Sequence, residues 1–383
     1  MTRPYENIKI LDLTHILAGP FSTYQFALLG AEVIKIEPPE SPDCARGRGP
    51  DPHLNAELKG LNYQVQAANK KAMTIDLKQM SGQKILKKLV ADADVLVENY
   101  RTGALDQLGI GYEDLKEINP NLIYCSLSGF GNYGDRANVN AYDNTIQATS
   151  GIIEQSKGHK PGVSFVDYAA GYNAAFAISA ALHQRLITGV GTYISSSMLE
   201  VAMTLMAPEA AAAQHPVKSN RDKEAGISAY ETLDGILMIG AFTPDQNRRM
   251  WEMFDGLNID FPAKLKEPND WESLWLLSKE TKKALVDIFK EKPAEEWQTI
   301  FHQHNLPAEK QRTLIDAVQD PQLKKYYQEV DGIKLPTAAY HFEEGPEITS
   351  PPPGFSEHTD EILSDLGYSN DDINTFKAEG VIK

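Results

Sequence analysis

The sequence has little cysteine: Cys44 and Cys125 are the only two among 383 residues. Two are too few for a disulfide framework or a thiolate metal site. The nine histidines show no H-E-x-x-H or comparable ligand spacing, and His302 and His304, two apart among polar residues, read as solvated. No apolar run is long enough to span a bilayer, and the opening Met1-Thr-Arg-Pro-Tyr-Glu-Asn7 has no hydrophobic signal core. A reducing, cytoplasmic setting is therefore expected. Positive charge is also in deficit. With 37 Lys+Arg against 53 Asp+Glu the net charge is −16, which argues against nucleic acid or an anionic membrane as a partner. A polyanionic ligand would need a local basic pocket. Ser195-Ser-Ser197 lacks the G-x-S-x-G setting of a serine nucleophile. Internal repeats and low-complexity segments are absent.

What is present is an ordinary globular composition, 42% hydrophobic and 23% charged, on a chain long enough for two domains. Residues 8–13 form a strand candidate. A Thr14–Pro20 turn leads into a helix that Gly30 stops, and residues 31–36 form the next strand. The pattern recurs with a strand at 73–77, a helix at 81–91, a strand at 95–98, helical pieces at 105–118 and a strand at 122–127. Such alternation predicts an α/β fold with an open parallel sheet of Rossmann type. Residues 39–62, rich in proline with Arg46 and Arg48, read as a long irregular loop of the kind that is usually functional. Helices are expected at 144–155 and 200–213. A charged linker at 215–225 precedes a hairpin at 230–240 turning on Asp234-Gly235, then helices at 244–254, 281–289 and 294–302. The expected domains are 1–214, a small α+β domain at 226–318, and a return segment at 319–383.

The most informative stretch is Gly162-Val-Ser-Phe-Val-Asp167-Tyr-Ala-Ala-Gly171 and the alanine-rich run after it. Residues 163–166 read as a buried lead-in, with a buried helix from 168 to about 186 and Asp167 as its N-cap. A carboxylate at the positive end of a buried helix is favoured as an anion, and exclusion of water makes it a better nucleophile. Gly129-Phe-Gly131-Asn-Tyr-Gly134 matches G-x-G-x-x-G, but no amphipathic helix follows, so it reads as a flexible loop and not as a dinucleotide fingerprint. His15, in the first βα turn, reads either as a structural histidine or as a residue close to the ligand. Lys70, Lys71 and Lys78 flank one strand and Arg101 follows another. Strand ends are where open sheets bind ligands, which favours Lys78 and Arg101.

Asp167-Tyr-Ala-Ala-Gly171, Thr188-Gly-Val-Gly191 and Ser195-Ser-Ser-Met-Leu-Glu-Val-Ala202 together resemble the central signature of the class III CoA-transferases. That family includes formyl-CoA and carnitine CoA-transferases and shares its fold with α-methylacyl-CoA racemase. The likeness spans nearly the whole chain, through Leu11-Asp-Leu-Thr14, Leu29-Gly-Ala-Glu-Val-Ile-Lys-Ile-Glu-Pro38, Asp94-Val-Leu-Val-Glu-Asn-Tyr-Arg101, Leu122-Ile-Tyr-Cys-Ser-Leu-Ser-Gly-Phe-Gly131 and Glu357-His-Thr-Asp-Glu361.

The resemblance implies a large Rossmann-like domain built from both chain ends, a small central domain and an interlocked homodimer. It implies an enzyme that moves CoA from an acyl-CoA to a small carboxylic acid through Asp167, with CoA as substrate and no permanently bound cofactor. Ile16, Ile75, Lys78, Asn99, Tyr100 and Ala104 match CoA-contacting positions, with Arg101 beside them; Leu17, Tyr142 and Asp143 match positions near the reacting acyl group. Leu17 replaces a glutamine of formyl-CoA transferase, which implies a larger or more apolar acyl group. Pro38, Gln107 and Asn140 replace basic residues, so the CoA contacts are rearranged. A glycine-rich active-site loop is not evident between 213 and 228. The rival readings are an α-methylacyl-CoA racemase, which would need a histidine where Tyr142 stands, and a non-enzymatic acyl-CoA binder.

Overall fold

A computed structural model describes residues 3–215, 224–343 and 345–383. Most of the expected linker, residues 216–223, lies outside the described residues. The chain divides into two compact units, Met1–Ala211 with Lys324–Lys383, and Ala212–Leu323.

The first unit has a main sheet of six strands: β1 (Lys9–Leu13), β2 (Glu32–Glu37), β3 (Lys70–Thr74), β4 (Val95–Glu98), β5 (Ile123–Ser128) and β6 (Tyr193–Ser197). They pair in parallel in the order β3-β2-β1-β4-β5-β6. Its principal helices are α1 (Ala18–Leu28), α2 (Met80–Val90), α3 (Asp143–Ser150), α4 (Phe165–Thr188) and α5 (Met198–Leu205). Ile10, Val33, Val95 and Ile123 face one side of the sheet, where Ala170, Ala174 and Ile178 of α4 pack. Leu11, Ile34 and Leu96 face the other, against Ile85, Leu86 and Leu89 of α2. Burying each of the Val, Leu and Ile side chains among these is worth roughly 2 kcal/mol. Their alternation along each strand covers the sheet on both faces, as a parallel sheet requires.

Several local expectations shift. The third strand begins three residues early, at Lys70, because its ammonium is neutralised inside the sheet. The helix expected at 200–213 is two, α5 and a short Ala207–Ala213. The polar strand β6 carried no apolar run to betray it. Among the described residues, no helix is long and apolar enough to cross a membrane.

The chain end protects the sheet edge. Val381 O accepts from Asp76 N (2.7 Å), Ala72 O accepts from His358 N (2.9 Å), and Lys383 N donates to Thr74 Oγ1 (2.8 Å). Edge strands left open invite pairing with other chains, and this segment covers β3.

The second unit is an antiparallel sheet of β7 (Ala229–Glu231), β8 (Ile236–Ile239) and β9 (Ala308–Lys310), with helices α6 (Pro244–Gly256), α7 (Ser278–Phe289) and α8 (Ala294–Gln303). Trp251, Phe254, Phe289, Trp297 and Phe301 fill its core. Thr232 N donates to Gly235 O (2.8 Å), so the hairpin turns on Leu233 and Asp234, one residue before the expected pair. Asp234 is needed elsewhere: its Oδ1 accepts from Ala294 N at the start of α8 (2.8 Å).

Beneath the first βα turn lies a buried ionic network. Lys70 Nζ reaches Asp12 Oδ2 at 2.9 Å, Lys35 Nζ reaches Asp43 Oδ2 at 3.2 Å, and Arg46 Nη2 reaches Glu37 Oε2 at 2.7 Å. All six residues are at most 4% exposed. Burial opposes the Asp12 carboxylate, yet Lys70 and Lys35 beside it hold its pKa well below the usual range. Removing one partner of such a pair strands a buried charge at a cost of about 3–5 kcal/mol. Lys70→Met should therefore lower the stability of this unit by roughly 3 kcal/mol in denaturant unfolding; a change under about 1 kcal/mol would mean the network carries no structural weight.

Candidate active site

The order of the strands places the site. Connections leave β1 toward one edge and β4 toward the other, so their carboxyl ends open a crevice between them. An open cleft of about 220 Å³ occupies it, lined by the segments after β1 (His15–Ala18), β4 (Asn99–Thr102) and β5 (Ser128 and Gly129), together with Asp167. A Cβ on Gly129 would sit 2.2 Å from Ala141 Cβ, so only glycine lets the 137–142 segment close against the end of β5.

The turn after β1 is clamped by side chains. Ile16 has φ +75°, a left-handed conformation costly for a β-branched residue. Its N–H donates to Asp43 Oδ1 (3.0 Å), and its carbonyl accepts from Gln66 Nε2 (2.6 Å). Asn99 grips His15 on both sides, accepting from its N–H and donating to its carbonyl, each at 2.9 Å. Asp43 is in turn held by Lys35. The ionic network thus maintains a strained turn at the mouth of the cleft. His15 lies edge-on to Tyr100, with centroids 5.1 Å apart. Burial, then repulsion from Lys35, pushes its pKa below the ordinary value, so it is neutral at pH 7.

Asp167 does not cap α4. The N-cap is Ser164, whose side chain makes no capping bond, and Asp167 stands within the first turn. Val163, expected to be buried, is 64% exposed. The cap comes from a different helix. Asp143 Oδ2, at the start of α3, accepts from Val166 N (3.0 Å) and Asp167 N (3.2 Å), and Gln147 Nε2 donates to Asp143 Oδ1. Capping of this kind is worth about 1 kcal/mol. It leaves the Asp167 carboxylate with no hydrogen-bond partner among the described residues. One turn on, Gly171 lets α1 approach: a Cβ there would meet Ala18 O at 2.7 Å and Phe21 Cδ1 at 2.8 Å. The first turns of α1 and α4 therefore meet at one cleft.

Burial, then the neighbouring Asp143 carboxylate, pushes the Asp167 pKa up to about 7. The helix end was expected to favour the anion; water exclusion and a like charge prevail instead.

Ile16, Leu17, Asn99, Tyr100, Arg101 and Tyr142 line the cleft with Asp167. Arg101 Nε donates to Asn140 Oδ1 (2.9 Å), so the asparagine orients the arginine. Asp143 is buried at the start of α3. Ile75 is 1% exposed in the core; Lys78, exposed after β3, and Ala104, the first residue of a short helix, are not among the cleft's lining residues. Lys70, one of the lysines flanking that strand, is consumed inside by Asp12. Sequence reasoning missed Asp43, Gln66 and Gln147. Their only signal was a polar residue in an irregular or short helical segment.

The model of CoA-transferase family III matches residues 5–359. The chain belongs to CoA-transferase family III. It is 32% identical to the human succinyl-CoA:glutarate CoA-transferase over 99% of this chain and 90% of that protein. It is 28% identical to the (R)-2-hydroxy-4-methylpentanoate CoA-transferase of Clostridioides difficile over 99% of each. A CAIB/BAIF family protein from Brucella suis has a similar structure, with a TM-score of 0.80 at 27% identity over 96% of this chain and 100% of that one. Membership makes this family III protein a CoA-transferase, which excludes the non-enzymatic binder and does not favour the racemase.

The Asp167 pKa is open to test. Asp143→Asn keeps an acceptor for the Val166 and Asp167 amides but removes the like charge, so Asp167 should titrate lower. If exchange runs through the Asp167 anion, the acid limb of kcat/KM, expected near pH 7 in the wild type, should move to lower pH. An unmoved limb would show that Asp143 does not set this ionisation.

Proposed function

We propose that this family III CoA-transferase moves CoA from an acyl-CoA donor to a free carboxylic acid through a covalent intermediate on Asp167. The observation that carries the reading is a half-buried carboxylate with no partner, beside the cleft, whose pKa is pushed up to about 7. Such an anion is weakly stabilised, hence reactive, and half ionised near neutral pH.

The anion attacks the thioester carbonyl, and the tetrahedral intermediate expels CoA thiolate to leave a mixed anhydride on Asp167. The thiolate then attacks the aspartyl carbonyl, releasing the donor's carboxylate and leaving an aspartyl-CoA thioester. The acceptor carboxylate attacks that thioester, forming a second anhydride and freeing the thiolate once more. Attack of the thiolate on the acceptor's carbonyl yields the new acyl-CoA and regenerates Asp167. Splitting one difficult exchange in this way is the gain of covalent catalysis.

Each tetrahedral intermediate needs donors, one good one being worth about 3 kcal/mol. The amides of Val166 and Asp167 are taken by Asp143. Those of Leu17 and Ala18, at the free start of α1 beside the cleft, remain for the task. Ile16, Asn99 and Tyr100 form the CoA wall, with Arg101 turned by Asn140 toward its phosphates. Tyr142 stands where a racemase would need a histidine.

Asp167→Ala should lose exchange by several orders of magnitude while keeping the wild-type circular dichroism. Wild-type protein given an acyl-CoA and hydroxylamine should carry a hydroxamate on the Asp167 peptide. Ordinary turnover by Asp167→Ala would end the proposal. The homodimer is proposed on Phe176, Leu186 and Ile187, large apolar side chains of α4 that are 76%, 84% and 75% exposed. Sedimentation should give a species of twice 42.4 kDa; a monomer at micromolar concentration would contradict it.

A further inference from the structure

A second cavity, of about 740 Å³, meets the first at Ile16, Leu17, Tyr142 and Asp167. Asp167 therefore lies between two spaces, one bounded by Tyr100 and Arg101, the other by Arg48 and Lys160. The second has Leu17, Leu61 and Val65 on its walls. It also carries two cations. The Arg48 guanidinium has neither hydrogen bond nor ion pair among the described residues, and Lys160 Nζ touches only Pro161 O (2.9 Å). Lys35, Arg46 and Lys70, by contrast, each have a carboxylate partner in the core, whereas Arg48 and Lys160 are exposed to the cavity.

The backbone that carries Arg48 is held in place. Arg48 N donates to Ala45 O (3.2 Å) and its carbonyl accepts from Asn62 N (3.1 Å). Gly60 packs so closely that a Cβ there would lie 2.3 Å from Arg48 O. The guanidinium is left free at the end of a fixed stem. Of the acids on this cavity, Asp143 is occupied in capping α4 and Asp167 is the proposed nucleophile.

We propose that this cavity selects dicarboxylic acids of short chain, Arg48 being the specificity-determining residue that binds the carboxylate remote from Asp167, with Lys160 assisting. One carboxylate of the acceptor reacts at Asp167, its methylenes lie along Leu17, Leu61 and Val65, and the far carboxylate meets the guanidinium. The free carboxylate of a dicarboxylate monothioester donor takes the same place. A dicarboxylate gains a charge-assisted hydrogen bond to the exposed Arg48 guanidinium that a monocarboxylate cannot make, and that difference supplies the selectivity. The inference rests on the transfer reading above and narrows its substrate class.

The test compares glutarate with butyrate as acceptors, for wild type, Arg48→Gln and Arg48→Lys. The wild type should prefer glutarate. Arg48→Gln should reduce the glutarate-to-butyrate ratio of kcat/KM by about tenfold to a hundredfold, the worth of a charge-assisted hydrogen bond, and Arg48→Lys should recover part of it. Equal loss for both acceptors, or a rise in KM for the acyl-CoA donor instead, would overturn the assignment and make Arg48 a structural or phosphate contact. Calorimetric titration of resting enzyme with glutarate separates the two levels of inference. Glutarate binding that depends on Arg48 without any exchange would sink the transfer reading alone. Exchange whose acceptor preference ignores Arg48 would sink this one alone.

Discussion

Everything chemical at this site depends on a carboxylate that does not react. Asp143, from the start of α3, accepts the amides of Val166 and Asp167 and so does the work of an N-cap for α4 from outside that helix. Had Asp167 capped its own helix, its oxygens would have been engaged with backbone N–H groups, and its pKa would have fallen. With the cap supplied from elsewhere, Asp167 stands in the first turn with its carboxylate unpaired. The same neighbour that frees it also repels it, which helps burial bring its pKa to about 7. One interaction sets both the position and the ionisation of the proposed nucleophile.

A second constraint acts from below. Ile16 is held at φ +75° because Asp43 and Gln66 bind its two peptide groups, and Asp43 is itself held by Lys35. Buried ion pairs add little net stability, since desolvation offsets most of their attraction. Here the Asp12–Lys70, Lys35–Asp43 and Glu37–Arg46 pairs give a strained turn one geometry. Strain of this kind persists only where the surroundings over-determine it. Helix α1 then starts beside the cleft with the Leu17 and Ala18 amides unbonded among the described residues, and Gly171 admits it to contact with α4.

The placement of positive charge follows from the same economy. The network draws in Lys35, Arg46 and Lys70, three cations that could otherwise have met an anionic ligand. Those left at the cavities are Arg101 on one side of Asp167 and Arg48 with Lys160 on the other. The overall acidity of the chain is no obstacle to an anionic substrate, because screening confines the interaction to charges within about a Debye length, ~10 Å.

Much of the fold was legible in one dimension. Strands of alternating or continuous apolar residues and helices bounded by glycine specify a parallel α/β sheet, because burial on both faces requires that pattern. Asp167 itself stood out by its setting, as did the turn at 14–20 and Arg101. Other features carry no local signal. Strand β6 is polar because it lies at the sheet edge, and Lys70 belongs to a strand only because Asp12 awaits it. The N-cap assignment failed since a cap 24 residues away looks, along the chain, like no cap at all. Sequence by itself determined which elements form and which residue types the chemistry can use. The tertiary structure decided which charges are consumed in the core, which carboxylate caps and which one is left to react, because each of those outcomes depends on partners distant in the chain and on how much water the packing excludes.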